Sequence, residues 1–235
     1  MTAESSPLEP IGPNIWIAEG RKVPFLGLSL GTRMTAIRLT DGGVWLHSPI
    51  PRTAALAAAV DAIGPVSAIV APNKYHHLFL ADWIESCPAA RVYASPGLRS
   101  KRPDLRFDAD LDEGAAAWSY EIEQVMFTGS RSFDEAVFFH RASVTAILTD
   151  LIVNVRLSSQ PLVGRLWGAL EGVGAPNGST PLLFRLSMRD RSAGRLAVEQ
   201  MLSWAPRAVI IAHGEWFREG GTQELRRRFA WLLER

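Results

Sequence analysis

The sequence predicts an α/β protein. Three observations carry that reading: short apolar runs cut by Gly, Pro and Asp over the first fifty residues, a strand–loop–helix–strand succession over 66–95, and helical periodicity in the last third. At 235 residues the chain has room for one large domain or two small ones. Residues 1–150 carry 13 basic and 17 acidic side chains and 151–235 carry 12 and 7, too mild a shift to mark a boundary. A single domain over 1–235 is therefore expected, with 1–13 as a tail or first turn and 156–207 as a helical insertion or lid.

The elements follow in order. NIWIA, PFLGLSLG, TRMTAIRLT and VWLHSPI read as an antiparallel meander over 14–48, with Asp41-Gly42-Gly43 as a hairpin turn. TAALAAAVDAIG places apolar residues at 56, 59, 60 and 63, the helical spacing, and Gly64-Pro65 stops it. VSAIVAP is a continuous apolar run of buried-strand length, followed by the loop NKYHH and the helix FLADWIESCP. ARVYAS is the next strand, then a basic loop PGLRSKRPDLR. WSYEIEQVMF, EAVFFHR and TAILTDLI return to strands, the last two joined by a hairpin-length link at 141–144. QPLVGRLWGALEGVG and SAGRLAVEQMLSWAP read as amphipathic helices, AVIIAHG as a buried strand and TQELRRRFAWLLER as a terminal helix.

Composition narrows the function classes. The chain is 47% hydrophobic and 21% charged, which excludes wholesale disorder, and 25 basic against 24 acidic residues leave no net field to recruit nucleic acid or an anionic membrane. The single cysteine, Cys87, fits a reducing compartment and has no sequence neighbour that would activate it. The polar, proline-rich start predicts no signal peptide, and no run approaches the ~18 apolar residues of a bilayer span. The expectation is a cytoplasmic protein acting on a small molecule, without nucleic-acid or membrane partners and with its oligomeric state open. RLWGALEG carries too little positive charge for a membrane-surface helix and is expected to pack as a lid.

The chemistry-bearing residues gather at strand ends. His47 follows VWL, His76 and His77 follow VSAIVAP, Asp150 follows TAIL and His213 follows AVIIA. In α/β architectures that edge holds ligand sites, because strand ends fix side chains while loops stay open. Histidine and aspartate are ligands for zinc, iron or manganese, and a set of two or three imidazoles with one carboxylate leaves a position for water, whose pKa the metal lowers toward ~7.

The order of these features resembles the metallo-β-lactamase superfamily over about 15–214: an N-terminal meander, a strand ending in a histidine-rich loop, later strands ending in Gly-His and Gly-Asp, and a late strand ending in histidine. The corresponding stretches here are Pro72-Asn73-Lys74-Tyr75-His76-His77, Thr128-Gly129-Ser130, Leu148-Thr149-Asp150 and Ala212-His213-Gly214. APNKYHHLFL, RPDL and FFHR resemble more closely a branch of that superfamily whose function is unknown. The resemblance implies a four-layer αββα sandwich with a pocket at the strand ends. It also implies loss of one metal site, since three of its histidines appear as Pro72, Lys74 and Ser130, and survival of a second.

On that resemblance His77, Asp150 and His213 hold one zinc, iron or manganese ion, with His76 as a fourth ligand or proton shuttle and His47 supporting the loop. Lys74 and Arg33 polarise the substrate oxygen. The activity implied is hydrolysis of a small ester, lactone, thioester or phosphoester. The alternatives are a metal-free binding protein, in which Lys74 neutralises Asp150 in place of an ion, and a non-haem iron redox enzyme on the same ligands.

Plainer readings stand beside these. His76 and His77 can hydrogen-bond a tight loop, Asp150 can cap a helix starting at Leu151, and His213 can serve a turn. Arg99, Lys101, Arg102 and Arg106 are either an anion-binding lip or a solvated loop balanced by Asp104, Asp108 and Asp110. His140 is expected to be a satisfied core group, and Trp45, Trp83 and Trp216 to be core residues or the lining of the site.

Overall fold

The computed structural model describes residues 6–25, 27–113 and 117–234. The described residues up to 21 and from 33 to 113 form one compact unit; those from 22 to 32 and from 117 to 234 form another.

In the first unit the chain runs β1 (Glu9–Gly12), β2 (Ile15–Phe25), β3 (Leu28–Arg38), β4 (Val44–His47), α1 (Ala54–Asp61), β5 (Val66–Ala71), α2 (Leu80–Ser86), β6 (Arg91–Ala94), the single turn α3 (Leu98–Lys101) and β7 (Ala109–Asp110). The seven strands lie in sequence order in one sheet. β3 and β4 are antiparallel, whereas β4, β5, β6 and β7 run parallel to one another. The β3–β4 turn is held by Asp41, whose carboxylate accepts the Gly43 amide at 2.8 Å. α1 starts where the Thr53 hydroxyl accepts the Leu56 amide at 3.1 Å and buries Leu56, Ala57 and Val60.

Leu46, Ile69 and Val92 from the sheet pack with Leu56, Val60, Leu80 and Trp83 from the helices in one core. Each such fully buried aliphatic side chain contributes about 1.5–3 kcal/mol. The long β2–β3 hairpin continues past this unit, and its end, residues 22–32, belongs to the second.

The second unit contains β8 (Ile122–Phe127), β9 (Glu135–His140), β10 (Thr145–Ile147), β11 (Val153–Asn154), a 3-10 turn (Leu157–Ser159), α4 (Leu162–Leu170), α5 (Leu182–Leu186), α6 (Arg191–Ser203), β12 (Ala208–Ile210), β13 (His213–Gly214), α7 (Gly221–Arg228) and α8 (Ala230–Leu233). Four strands form a sheet ordered β12-β10-β9-β8, and β11 pairs with β13. β10 is parallel to β12, as β11 is to β13. α6 packs on β8 and α7 on β12. Asp190 caps α6 by accepting the Ala193 amide at 3.0 Å. Each unit is built on a sheet clad by helices.

The sequence reading differs from the structure in a few places. Glu9–Gly12, taken with the N-terminal tail, pairs antiparallel with β2; residues 1–5 lie outside the described residues. PFLGLSLG is not one strand: β2 ends at Phe25 and β3 begins at Leu28. WSYEIEQVMF is a strand only from Ile122, and the terminal helix breaks at Phe229. No helix starts at Leu151; the chain turns there and enters β11, so Asp150 is not a helix cap.

Candidate functional site

In the first unit the loop after β5 is organised by Asn73, fully buried, whose side-chain oxygen accepts the amides of Tyr75 at 2.8 Å and His76 at 3.2 Å. That turn sends His76 back toward the end of β4. There the Ser48 hydroxyl lies 2.6 Å from His76 Nδ1. Ser48 holds a left-handed backbone (φ 53°), an uncommon conformation for a residue with a side chain, and its amide donates to the Val70 carbonyl at 3.0 Å. Neither Asn73 nor Ser48 stands out in the sequence, although Ser48 follows His47 directly.

His47 is buried in the sheet and stacked on Trp45, with ring centroids 5.4 Å apart. Burial, then the charge of His76, holds its pKa well below the usual imidazole value. Trp45 and Trp83 are fully buried, and the Trp83 indole N–H donates to the Ile50 carbonyl at 2.8 Å; both are core residues.

His77 has a different setting. Arg102 Nη1 lies 3.0 Å from His77 Nδ1 and 3.2 Å from the His77 carbonyl. A guanidinium only donates, so Nδ1 accepts and the imidazole proton sits on Nε2. Burial, then the charges of Lys101 and Arg102, hold the His77 pKa at about 4. The basic loop is balanced pair by pair: Arg99 with Asp110 at 2.7 Å, Arg102 with Asp104 at 2.6 Å and Arg106 with Asp108 at 2.7 Å. Lys101 donates to the Lys74 carbonyl at 2.9 Å, and both ammonium groups lie over the Tyr75 ring. Buried Arg33 pairs with Glu19 at 2.6 Å.

In the second unit Asp150 and His213 come together, His213 Nε2 lying 3.0 Å from Asp150 Oδ1 with both side chains buried. β10 and β12 are parallel neighbours, so the loops leaving their C-terminal ends emerge side by side. Asp150 is fixed from beneath by Glu135 at the start of β9. The two carboxylate oxygens of Glu135 accept the Thr149 amide at 2.7 Å and the Asp150 amide at 2.8 Å. Burial, then the neighbouring Asp150 charge, push the Glu135 carboxyl up to about 7. Glu135 was invisible as a site residue in the run EAVFFHR.

His213 is fixed from two sides. Its Nδ1 lies 2.7 Å from the Gly31 carbonyl, which can only accept, so Nδ1 carries a proton and Nε2 is the atom turned to Asp150. The next residue, Gly214, has φ 93°, and a Cβ there would lie 2.0 Å from the Asn154 carbonyl oxygen, so only glycine fits. The Ser130 hydroxyl lies 2.7 Å from the Ser187 hydroxyl. His140 Nδ1 lies 2.8 Å from the Ser143 hydroxyl, and burial lowers its pKa. Trp216 stacks with Arg218, the guanidinium 4.4 Å from the ring centre.

A narrow cleft with about 30 Å³ of free space reaches Asp150 in this unit, walled by Phe25, Leu28, Leu30, Trp167 and Leu183. The Trp167 indole N–H, buried beside it, has no hydrogen-bond partner among the described residues.

The fold is that of the metallo-β-lactamases. The chain is similar to the metallo-β-lactamase from Pontibacter korlensis (13% identity, TM-score 0.63, covering 97% of this chain and 99% of that one) and to that from Hirschia baltica (14%, 0.64, 96% and 96%). It is likewise similar to the metallo-β-lactamase FIM-1 from Pseudomonas aeruginosa in its mono-zinc form (12%, 0.63, 97% and 94%). Within that fold the chain belongs to the family described as Domain of unknown function (DUF4336), which matches residues 13–170. No curated protein matches the sequence. Among the described residues, no helix is long and apolar enough to cross a membrane.

Proposed function

We propose that the protein is a metal-dependent hydrolase of a small ester, lactone, thioester or phosphoester, with one metal ion held by Asp150 and His213 and, as the sequence resemblance implies, by a histidine of the loop after β5. The observation that carries the reading is the Asp150–His213 pair. An imidazole whose Nδ1 is tied to a carbonyl presents Nε2 to a buried carboxylate oxygen 3.0 Å away. Two electron-pair donors at that distance repel unless a cation serves both, and a carbonyl on Nδ1 is the usual outer partner of a metal-bound histidine. A histidine–histidine–carboxylate set suits zinc, iron(II) or manganese. The likeness to a fold whose FIM-1 member is described in a mono-zinc form supports the choice of metal.

Bound there, the metal supplies a water of lowered pKa and a Lewis acid for the substrate oxygen. The chain's own residues do the rest. Glu135 locks the Asp150 backbone, Gly31 sets the His213 tautomer, and Ser48 orients the His76 ring. His76 is assigned to the metal in preference to His77, because both His77 nitrogens are already committed, one to Arg102 and one to its proton. The apolar walls of the cleft shield Asp150 from bulk water, and its about 30 Å³ leaves room for only about one or two water-sized groups.

The test is hydrolysis of a panel of chromogenic esters, thioesters, lactones and phosphodiesters by protein loaded with zinc, manganese or iron(II). Loss of a metal ligand should cost at least ~100-fold, so wild type is expected to exceed Asp150→Ala by that margin on at least one class. Equal rates for the two proteins with every metal and substrate overturn the proposal.

A second reading has its own support. The 3.0 Å separation is also a hydrogen-bond distance, and a doubly protonated His213 would satisfy Asp150 as an ion pair with no metal. That would make the protein a metal-free binding member of the fold.

A further inference from the structure

Within the first unit, the loop after β5 and the chain around α3 carry five cations: Lys74, Arg99, Lys101, Arg102 and Arg106. The structure sorts them into two kinds. Each arginine grips both oxygens of a carboxylate: Arg99 holds Asp110 at 2.7 and 2.9 Å, Arg102 holds Asp104 at 2.8 and 2.6 Å, and Arg106 holds Asp108 at 3.0 and 2.7 Å. Further N–H groups of each reach acceptors in the chain, the Phe107 carbonyl for Arg99, His77 for Arg102 and the Ala90 carbonyl for Arg106. Their charges are answered at close range.

The two lysines differ. Among the described residues no carboxylate lies within ion-pair distance of Lys74 or Lys101. They are instead brought toward each other. The Lys101 ammonium donates to the Lys74 carbonyl at 2.9 Å, and the Lys101 and Lys74 nitrogens lie 5.1 and 5.8 Å from the centre of the Tyr75 ring. Burial, then the Lys74 charge, lowers the Lys101 pKa, so the two ammonium groups oppose each other. Like charges placed together cost free energy, and an anion bound by both turns that repulsion into attraction.

A third donor adjoins them. Lys101 lies close enough for its charge to act on the His77 ring. Because Nδ1 accepts from Arg102, the neutral ring carries its proton on Nε2, and that N–H has no acceptor among the described residues. The frame is fixed before any ligand arrives. Buried Asn73 accepts the Tyr75 amide at 2.8 Å, and Arg102 ties the end of α3 to the loop through the His77 carbonyl at 3.2 Å.

We propose that Lys74, Lys101 and the Nε2–H of His77 form a binding site for a phosphoryl dianion, that of inorganic phosphate or of a small phosphomonoester. Two ammonium charges match the roughly −1.5 to −2 that a phosphate monoester carries at neutral pH, and three donors match its three terminal oxygens. A carboxylate, with one charge and two oxygens, leaves one ammonium group unanswered. The flexible lysine stems allow both charges to close on the ligand, whereas the arginine forks are already occupied. The site does not depend on the metal-site reading, and its test uses protein stripped of metal.

The test is calorimetric titration of chelator-treated protein with inorganic phosphate, phenyl phosphate and benzoate at fixed ionic strength and neutral pH. At least one of the two phosphates is expected to bind ~10-fold or more tightly than benzoate. Tighter binding of phenyl phosphate identifies the ester as the ligand, and equal or tighter binding of inorganic phosphate the free anion. Lys74→Gln and Lys101→Gln should each weaken the bound phosphate at least ~5-fold, and His77→Ala at least ~3-fold. Arg99→Gln, whose charge is answered by Asp110, should stay within ~2-fold of wild type, with all variants folded by circular dichroism. No binding of either phosphate, benzoate bound as tightly, or binding unchanged by both lysine variants overturns the proposal. So does a loss with Arg99→Gln as large as with the lysine variants, which would show a response to overall charge alone.

Discussion

The pair Asp150–His213 and the loop carrying Lys74–His77 hold the two parts of one histidine-and-carboxylate pattern, and they are built differently. Asp150 and His213 are buried, follow neighbouring parallel strands, and are each fixed by a partner that can only hold them one way: Glu135 beneath the Asp150 amide and the Gly31 carbonyl on His213. The loop histidines are half-buried and sit among cations, with Lys101 and Arg102 close to His77. Rigid, desolvated groups of opposite character suit an ion, whereas a neutral imidazole held by a guanidinium suits an electrostatic lip. Two histidines adjacent in sequence thus end with different partners, His76 beside the Ser48 hydroxyl and His77 beside the Arg102 guanidinium.

That contrast can be broken in steps. The largest effect belongs to the buried pair: Asp150→Ala should lower zinc affinity by at least ~100-fold, read by competition with a chelating dye. Retention of wild-type affinity would place the metal elsewhere. Next comes Glu135→Ala, which removes the acceptor of the Thr149 and Asp150 amides and lets Asp150 drift; affinity should fall ~10–100-fold. A smaller fall would mean that the strand end alone positions the ligand. On the loop the two histidines should separate, His76→Ala losing metal and His77→Ala staying within ~3-fold of wild type. The reverse order would exchange their roles.

The smallest effect concerns stability away from the site. Burial depresses the His140 pKa below 6.5, so the neutral form stabilises the fold above the unfolded value, and that contribution fades as pH falls through it toward the folded pKa. The urea midpoint should therefore drop between about pH 7.5 and about pH 5.5, and drop less in His140→Gln. An identical pH dependence in both proteins would show that His140 titrates as it does in the unfolded chain.

Much of the framework was legible because strong local signals agreed with the fold. VSAIVAP contains β5, TAALAAAVDAIG contains α1 and Asp150 follows β10 as expected, whereas AVIIAHG breaks after Ile210 and His213 opens β13. The break between β2 and β3 was hidden because PFLGLSLG reads as one continuous apolar run. β1 was hidden because EPIG, with its Pro and Gly, looks like a turn and becomes a strand only by pairing with β2. In the site, the ligand types could be read but not their supports. Glu135 looks like an ordinary strand residue until its carboxylate is seen across from two amides, and Ser48 acquires its role from a left-handed backbone. Periodicity likewise shows that Leu162, Leu166 and Leu170 share a face of α4, but not that glycines on the other side leave that face uncovered.

The central claim is tested most directly by elemental analysis of protein purified without chelator and then equilibrated with zinc, manganese or iron(II) and desalted. The account predicts close to one ion per chain in wild type and His77→Ala, with little in Asp150→Ala, His76→Ala and His213→Ala. Metal-free wild-type protein after all three treatments, or equal metal in wild type and Asp150→Ala, would contradict it and leave the Asp150–His213 ion pair as the better description.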